Sequence, residues 1–193
     1  MPAAVAGTGT AMDPEDRFAV LAQLLHDDTI ETTDRVAGGL LLLYAQPLSR
    51  ITAMTVDQIT RAHKVTTIPF GSDDIVVPQP LATLLATLID TPPRYVAGVG
   101  APATSPWLFP GLLPGQPLTP ARLGDRLGTL GIDARAGRRA ALIHLAAQLP
   151  AAVLGDLLHL TPGTAVRWVN NAGRDWSRYA ATLTTDAITH HAE

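Results

Sequence analysis

The sequence predicts a mainly α-helical protein with one small antiparallel β-sheet, an α+β fold. Three observations carry that prediction. Apolar residues recur at helical spacing through most of the chain. Only the stretch from Val65 to Pro78 changes to β-branched runs separated by a turn cluster. Residues 91–120, rich in Pro and Gly, then divide the helical pattern into two blocks.

In chain order, Asp13 or Asp16 can cap a first helix running to about His26, with Phe18, Leu21, Leu24 and Leu25 on one face. Asp27-Asp28-Thr29 reads as a break. A second helix is expected from about Thr32 to Tyr44; it is apolar nearly all round and therefore central and buried. Gln46-Pro47-Leu48-Ser49 ends it and starts a short third helix with Ile51, Met54 and Val56 facing inward. A strand around Ile59 to His63 can precede the hairpin, whose strands are Val65–Phe70 and Ile75–Pro78 about a turn at residues 71–74. Leu81 to Ile89 has Leu81, Leu84, Leu85 and Leu88 in helical register. Trp107-Leu-Phe-Pro reads as an apolar plug in the long loop. Thr119-Pro120 is a helix start, with Thr as N-cap and Pro in the first turn. That helix, Ala121 to Leu130, ends at Gly131. Three more are expected: Arg138 to Gln148, Ala151 to His159, and Thr164 to Ala172.

With 193 residues, the chain suits one compact domain over residues 13–180, with a flexible lead-in at 1–12 and a tail at 181–193. The absence of cysteine excludes disulfides, thiolate metal sites and cysteine nucleophiles. The longest apolar run, Leu40 to Ala45, is far short of the roughly 20 residues of a membrane span, so no membrane partner is expected. No glycine loop for phosphate, no serine-histidine-acid set and no metal-ligand spacing appears, so no cofactor or metal is expected. The lack of cysteine suits a cytoplasmic location.

Net charge is −3, yet its distribution is uneven. Residues 1–120 carry six Lys or Arg against eleven Asp or Glu, whereas residues 121–180 carry eight Arg against four Asp. A local basic segment is what phosphate recognition needs. Residues 151–172 also fit a helix-turn-helix, with Leu154, Leu158, Leu160, Ala165 and Trp168 inward. Thr164, Arg167, Asn170 and Asn171 then face outward, side-chain types that bond base edges or phosphates. The helix start at Thr164 would offer N–H groups to a phosphate, and His159, standing where the turn prefers glycine, can touch phosphate or close the turn. Arg135, Arg138, Arg139 and Arg174 complete the candidate DNA-binding set. For Arg138 the structural alternative is a pair with Asp133 or Asp156; His144, in an apolar helix, reads as a packed core histidine.

The order of these elements and several strings resemble the catalytic domain of tyrosine recombinases, the phage-integrase and Xer-like family, over roughly residues 30–180. Leu41-Leu-Leu-Tyr-Ala-Gln-Pro-Leu-Ser and Asp57-Gln-Ile resemble its first box. Arg138-Arg-Ala-Ala-Leu-Ile-His144-Leu resembles the second, and Leu157-Leu-His-Leu160 the Leu-Leu-Gly-His box. The resemblance implies a set of arginines, a lysine, histidines and an attacking tyrosine. Here the first arginine's place falls at Pro47 or Gln46, with Arg50 three residues on. The hairpin contains no lysine, and Lys64 lies just outside it. Arg135 and Leu160 stand where histidines are expected, His159 lies one place early, and Trp168 occupies the nucleophile's position. Arg138 alone is kept. An indole cannot form a phosphodiester, so the resemblance implies a double-stranded-DNA-binding relative without strand cleavage. Two alternatives stand beside it: an active recombinase using Tyr179, forty-one residues after Arg138, and a structural or protein-interaction module without DNA. The tail after Ala180 is a candidate contact in a homo-oligomer.

Overall fold

The computed structural model describes residues 12–63, 65–91, 105–113 and 115–173. Eight α-helices and one three-stranded antiparallel sheet fall within them. The chain divides into two compact units, residues 1–141 and 142–193. Candidates Arg174 and Tyr179, the tail at 181–193 and Lys64 lie outside the described residues.

The first unit is built around α2 (Thr32–Tyr44), which packs against α1 (Pro14–His26), α3 (Leu48–Thr52), α4 (Leu81–Asp90) and α5 (Pro120–Thr129). Val36, Ala37, Leu40, Leu41 and Leu42 are fully buried, as expected of a helix apolar all round. Two successive glycines let its neighbours approach. A Cβ at Gly38 would lie 2.5 Å from Leu24 Cδ1 of α1, and one at Gly39 2.9 Å from Leu81 Cδ1 of α4.

The antiparallel pair α1–α2 is closed at both ends by arginines. Arg35, near the start of α2, donates to Leu24 O and Leu25 O at 2.8 and 2.9 Å and to Asp28 at 2.8 Å. Arg17, near the start of α1, donates through Nη1 to Leu42 O at 2.6 Å. Each helix thus supplies a cation to the carbonyl end of the other, where the helix dipole is negative. Alongside, Asp34 receives two hydrogen bonds from Arg126 of α5, at 2.6 and 2.9 Å.

The sheet runs β1 (Thr60–Ala62), β2 (Val65–Phe70), β3 (Asp73–Val76), in that order and antiparallel. Thr66, Ile68 and Phe70 of β2 point inward at period two. The turn is tighter than the sequence suggests. Phe70 pairs with Asp73 across Gly71-Ser72, with Gly71 at φ 85°, so Asp73 and Asp74 belong to β3 and not to the turn. The plug in the long loop is confirmed: Trp107 bridges Thr55, Leu108 N donates to Met54 O at 2.9 Å, and Leu108 and Phe109 are buried.

Thr119 caps α5 as expected, accepting from Arg122 N at 3.2 Å. The next helix, α6 (Ala134–Gln148), begins four residues earlier than the sequence pattern suggests. Asp133 Oδ1 accepts from Arg135 N and Ala136 N at 2.8 and 3.0 Å, an N-cap that starts the helix upstream of Gly137. In the second unit, α7 (Ala151–Leu158) ends at His159, which takes the left-handed conformation at φ 50°, and α8 covers residues 162–173.

Candidate nucleic-acid interface

Two places carry the candidate residues, one in each unit. In the first, α2 ends at Ala45, a buried residue in the left-handed region at φ 52°. The chain turns there into α3, and the orphan carbonyls of the helix end collect donors. Leu42 O is held by Arg17, Tyr44 O by Gln46 Nε2 at 3.3 Å, and Ala45 O by Arg138 Nε at 2.8 Å. Arg138 therefore reaches the residue beside Gln46 and Pro47, the positions at which the resemblance puts the first arginine. The corner brings first-box and second-box positions together, but Arg138 meets a carbonyl there and not a second arginine.

Arg50, on α3, lies with its guanidinium carbon 6.0 Å from the centroid of the Phe70 ring, which itself stands 5.2 Å from the ring of Tyr44. Its Nη1 is buried with no partner. Burial pulls the guanidinium pKa values of Arg17, Arg50 and Arg138 below the ordinary arginine value, because the charged form is desolvated. Arg17 and Arg50 were not among the sequence candidates. The available signal was positional: an arginine one turn into a helix whose antiparallel partner ends alongside it.

Arg135 and Arg139, flanking Arg138 on α6, are exposed. Arg122, exposed on α5, belongs with them and was also missed. His144 is half-buried in the same helix, consistent with a packing histidine.

In the second unit, Leu154, Leu158 and Ala165 are buried, while Leu160 and Trp168, expected to face inward with them, are half-buried. Leu157 joins that face. Arg167, Asn170 and Asn171 are exposed on α8. His159 is exposed at the turn and closes α7, its N–H donating to Asp156 O at 3.2 Å while Leu160 N donates to Gly155 O at 2.8 Å. One expectation is corrected. Thr164 does not begin the helix, because α8 starts at Pro162. Thr164 N and Ala165 N both donate to Thr161 O, at 2.9 and 3.0 Å, so neither N–H is offered to a phosphate. The Thr164 hydroxyl is engaged too, accepting from Thr161 Oγ1 at 2.9 Å and from Arg167 Nη2 at 3.4 Å. A shallow groove of 740 Å³ lies along the α7–α8 turn, lined by Ala152, Gly155, Leu160, Pro162 and Val166 among others.

The arginines sort into two groups. Arg17, Arg35, Arg61, Arg126 and Arg138 are bonded to carbonyls or carboxylates, Arg61 through a bidentate pair with Asp90 at 2.9 and 3.0 Å. Arg50 is turned onto Phe70. The remaining described arginines, Arg122, Arg135, Arg139 and Arg167, are exposed, and none has a carbonyl or carboxylate partner among the described residues. Among the described residues no histidine and carboxylate cluster could hold a metal ion, and no helix is long and apolar enough to cross a membrane.

No protein-family model matches the chain, and no curated protein sequence does. Solved structures do. The chain is similar to the XerA recombinase, with a TM-score of 0.62 at 12 % identity over 90 % of this chain and 66 % of that one. It is likewise similar to the Tn1549 transposon integrase in complex with circular intermediate DNA. Two such complexes give TM-scores of 0.59 and 0.57 at 13 and 14 % identity, over 91 % of this chain and 67 and 68 % of theirs. The fold is therefore tyrosine-recombinase-like, and the chain spans about two thirds of the length of these proteins.

Proposed function

We propose that the chain is a DNA-binding protein that uses a tyrosine-recombinase-like fold without cutting its DNA. The observation that carries this reading is the sorting of the arginines. Among the described residues the arginines bonded to carbonyls or carboxylates run from Arg17 to Arg138, whereas the four exposed ones without such a partner all fall between Arg122 and Arg167, within the basic segment. Free guanidinium groups on exposed helix faces are the groups that neutralise backbone phosphates. Arg135 and Arg139 serve this role on α6, joined by Arg122. Arg167, Asn170, Asn171 and His159 serve it on the two-helix unit, with Arg174 as a further candidate and Thr164 acting through its contact with Arg167. The fold likeness to a recombinase and to an integrase held on DNA supports double-stranded DNA as the partner and the nucleoid as the place.

The loss of cleavage rests on Trp168. The indole lies half-buried at the position where the resemblance puts the attacking hydroxyl, and it offers no oxygen to phosphorus. Incubation with duplex and with suicide substrates tests both parts. Binding at low salt with no covalent protein–DNA adduct is expected. An adduct abolished by Tyr179→Phe would establish an active recombinase instead. Absence of any binding at low salt would favour a module that kept the fold for protein contacts.

A further inference from the structure

We infer that Arg138 is a positioning residue of the α2–α3 corner, acting with Arg17, and that it does not hold phosphate. Ala45 sits in the left-handed region at φ 52° while fully buried. Side chains other than glycine enter that region at a cost and persist there only where surrounding contacts over-determine the conformation. Arg138 supplies such a contact through its bond to Ala45 O, and Arg17 supplies another one turn back at Leu42 O. Both cations stand at the carbonyl end of α2, where positive charge is favoured.

The residue before Arg138 shows the same fit. A Cβ at Gly137 would lie 2.8 Å from Leu42 Cδ2, so α6 comes close enough for Arg138 to reach the corner because a glycine stands there. The bond also commits one edge of the guanidinium: with the Nε–H of Arg138 given to a carbonyl, the side-on Nε–Nη pair is taken and only the Nη end of the fork is left for an oxyanion. The arginine that the resemblance inherits from a cleavage centre has become a fastening of the fold.

The corner role is independent of the DNA-binding reading; the exclusion of Arg138 from phosphate contact rests on it. The experiment compares Arg138→Met, Arg138→Lys, Ala45→Gly and the double variant Ala45→Gly/Arg138→Met, reading the urea midpoint and the salt dependence of duplex binding. Arg138→Met is expected to lower the midpoint, with Arg138→Lys between it and the parent. Ala45→Gly is expected to raise the midpoint more in the Arg138→Met background than in the parent, because glycine removes the strain the arginine restrains. The slope of log affinity against log salt stays at the parental value. A parental midpoint in Arg138→Met, or additive effects of the two substitutions, overturns the corner role. A slope reduced by about 0.9 overturns the exclusion from phosphate. If no variant and no parent binds DNA, the proposed function fails while the midpoints still decide the corner role. If Arg138→Met does not fold alone, recovery of folding in the double variant supports the inference, and failure to recover with a parental midpoint in Arg138→Lys opposes it.

Discussion

Salt dependence offers the most direct measure of the proposed DNA contact. Each arginine that neutralises one phosphate of B-DNA releases condensed counterions, so log affinity falls against log salt with a slope of about 0.9 per contact. Arg122, Arg135, Arg139 and Arg167 are the four described arginines that are exposed and bonded to no carbonyl or carboxylate. If all four engage, the slope from these residues is about −3.6, and raising salt from 50 to 200 mM weakens binding roughly 150-fold. Fluorescence anisotropy with a labelled duplex across that range reads the slope. Each single Arg→Gln substitution should flatten it by about 0.9, and the quadruple variant should remove nearly all of this contribution. Arg61→Gln is the control, since that side chain is already held by Asp90. The reasoning is refuted if Arg61→Gln flattens the slope as much as the others do, or if the quadruple variant keeps the parental slope.

Three further outcomes follow from the packing. Arg126→Met strands the largely buried Asp34 carboxylate, whose side chain is 11 % exposed, and should cost about 2–4 kcal/mol in urea unfolding, somewhat under the full value for a buried pair because Arg126 is 34 % exposed; a loss below about 0.5 kcal/mol would mean the pair is solvated. Glycine substitutions should divide by site: Gly38→Ala drives a Cβ into Leu24 and should cost about 1–3 kcal/mol, whereas Gly128→Ala meets open space in an exposed helix and should add about 0.5–1 kcal/mol. Equal signs for the two would contradict the close approach of α1 and α2. Burial pushes the Tyr44 phenol up to about 12 from an ordinary 10.0. Because the folded value is the higher, the stability it reports is complete below pH 10 and is lost as pH rises from 10 to 12. Tyr44→Phe should therefore lose less stability than the parent over that window, and parallel alkaline profiles would sink the assignment.

The parts of the fold that local chemistry decides were legible in the sequence. The bounds of α2, the three strands, the Thr119-Pro120 start of α5 and the buried plug at Leu108 and Phe109 each follow from capping residues, β-branched alternation or apolar runs. The misreadings share a cause. Apolar periodicity locates the middle of a helix, but its start depends on which group caps it. Asp133 carries α6 four residues upstream, past a glycine that looks like a breaker until Leu42 is seen against it. Pro162 and the carbonyl of Thr161 likewise start α8 before Thr164, and with that the expected anion site disappears. Gly71 at positive φ permits a two-residue turn and hands Asp73 and Asp74 to a strand that their side chains do not advertise.

The candidate site was legible as a charge and illegible as a surface. An arginine reads alike in a sequence whether it faces water or a helix end, because its partner is set by tertiary contact. Arg126 and Arg138 both lie in the basic segment, and both are committed, to Asp34 across 92 residues and to Ala45 O across 93. What remains for a polyanion is smaller than composition suggests, and it includes Arg122, which no motif marks. Ala45 O at the α2–α3 corner is met by Arg138 whether or not a phosphate ever binds there, so the demands of the fold alone account for an arginine at that position. Trp168, by contrast, lies half-buried on α8 at the position where the resemblance puts a tyrosine, and its indole offers no oxygen to a phosphate. On the proposed reading, an arginine that fastens the fold beside an indole in place of a hydroxyl is what a protein used for contact with DNA, and not for cleavage, would carry.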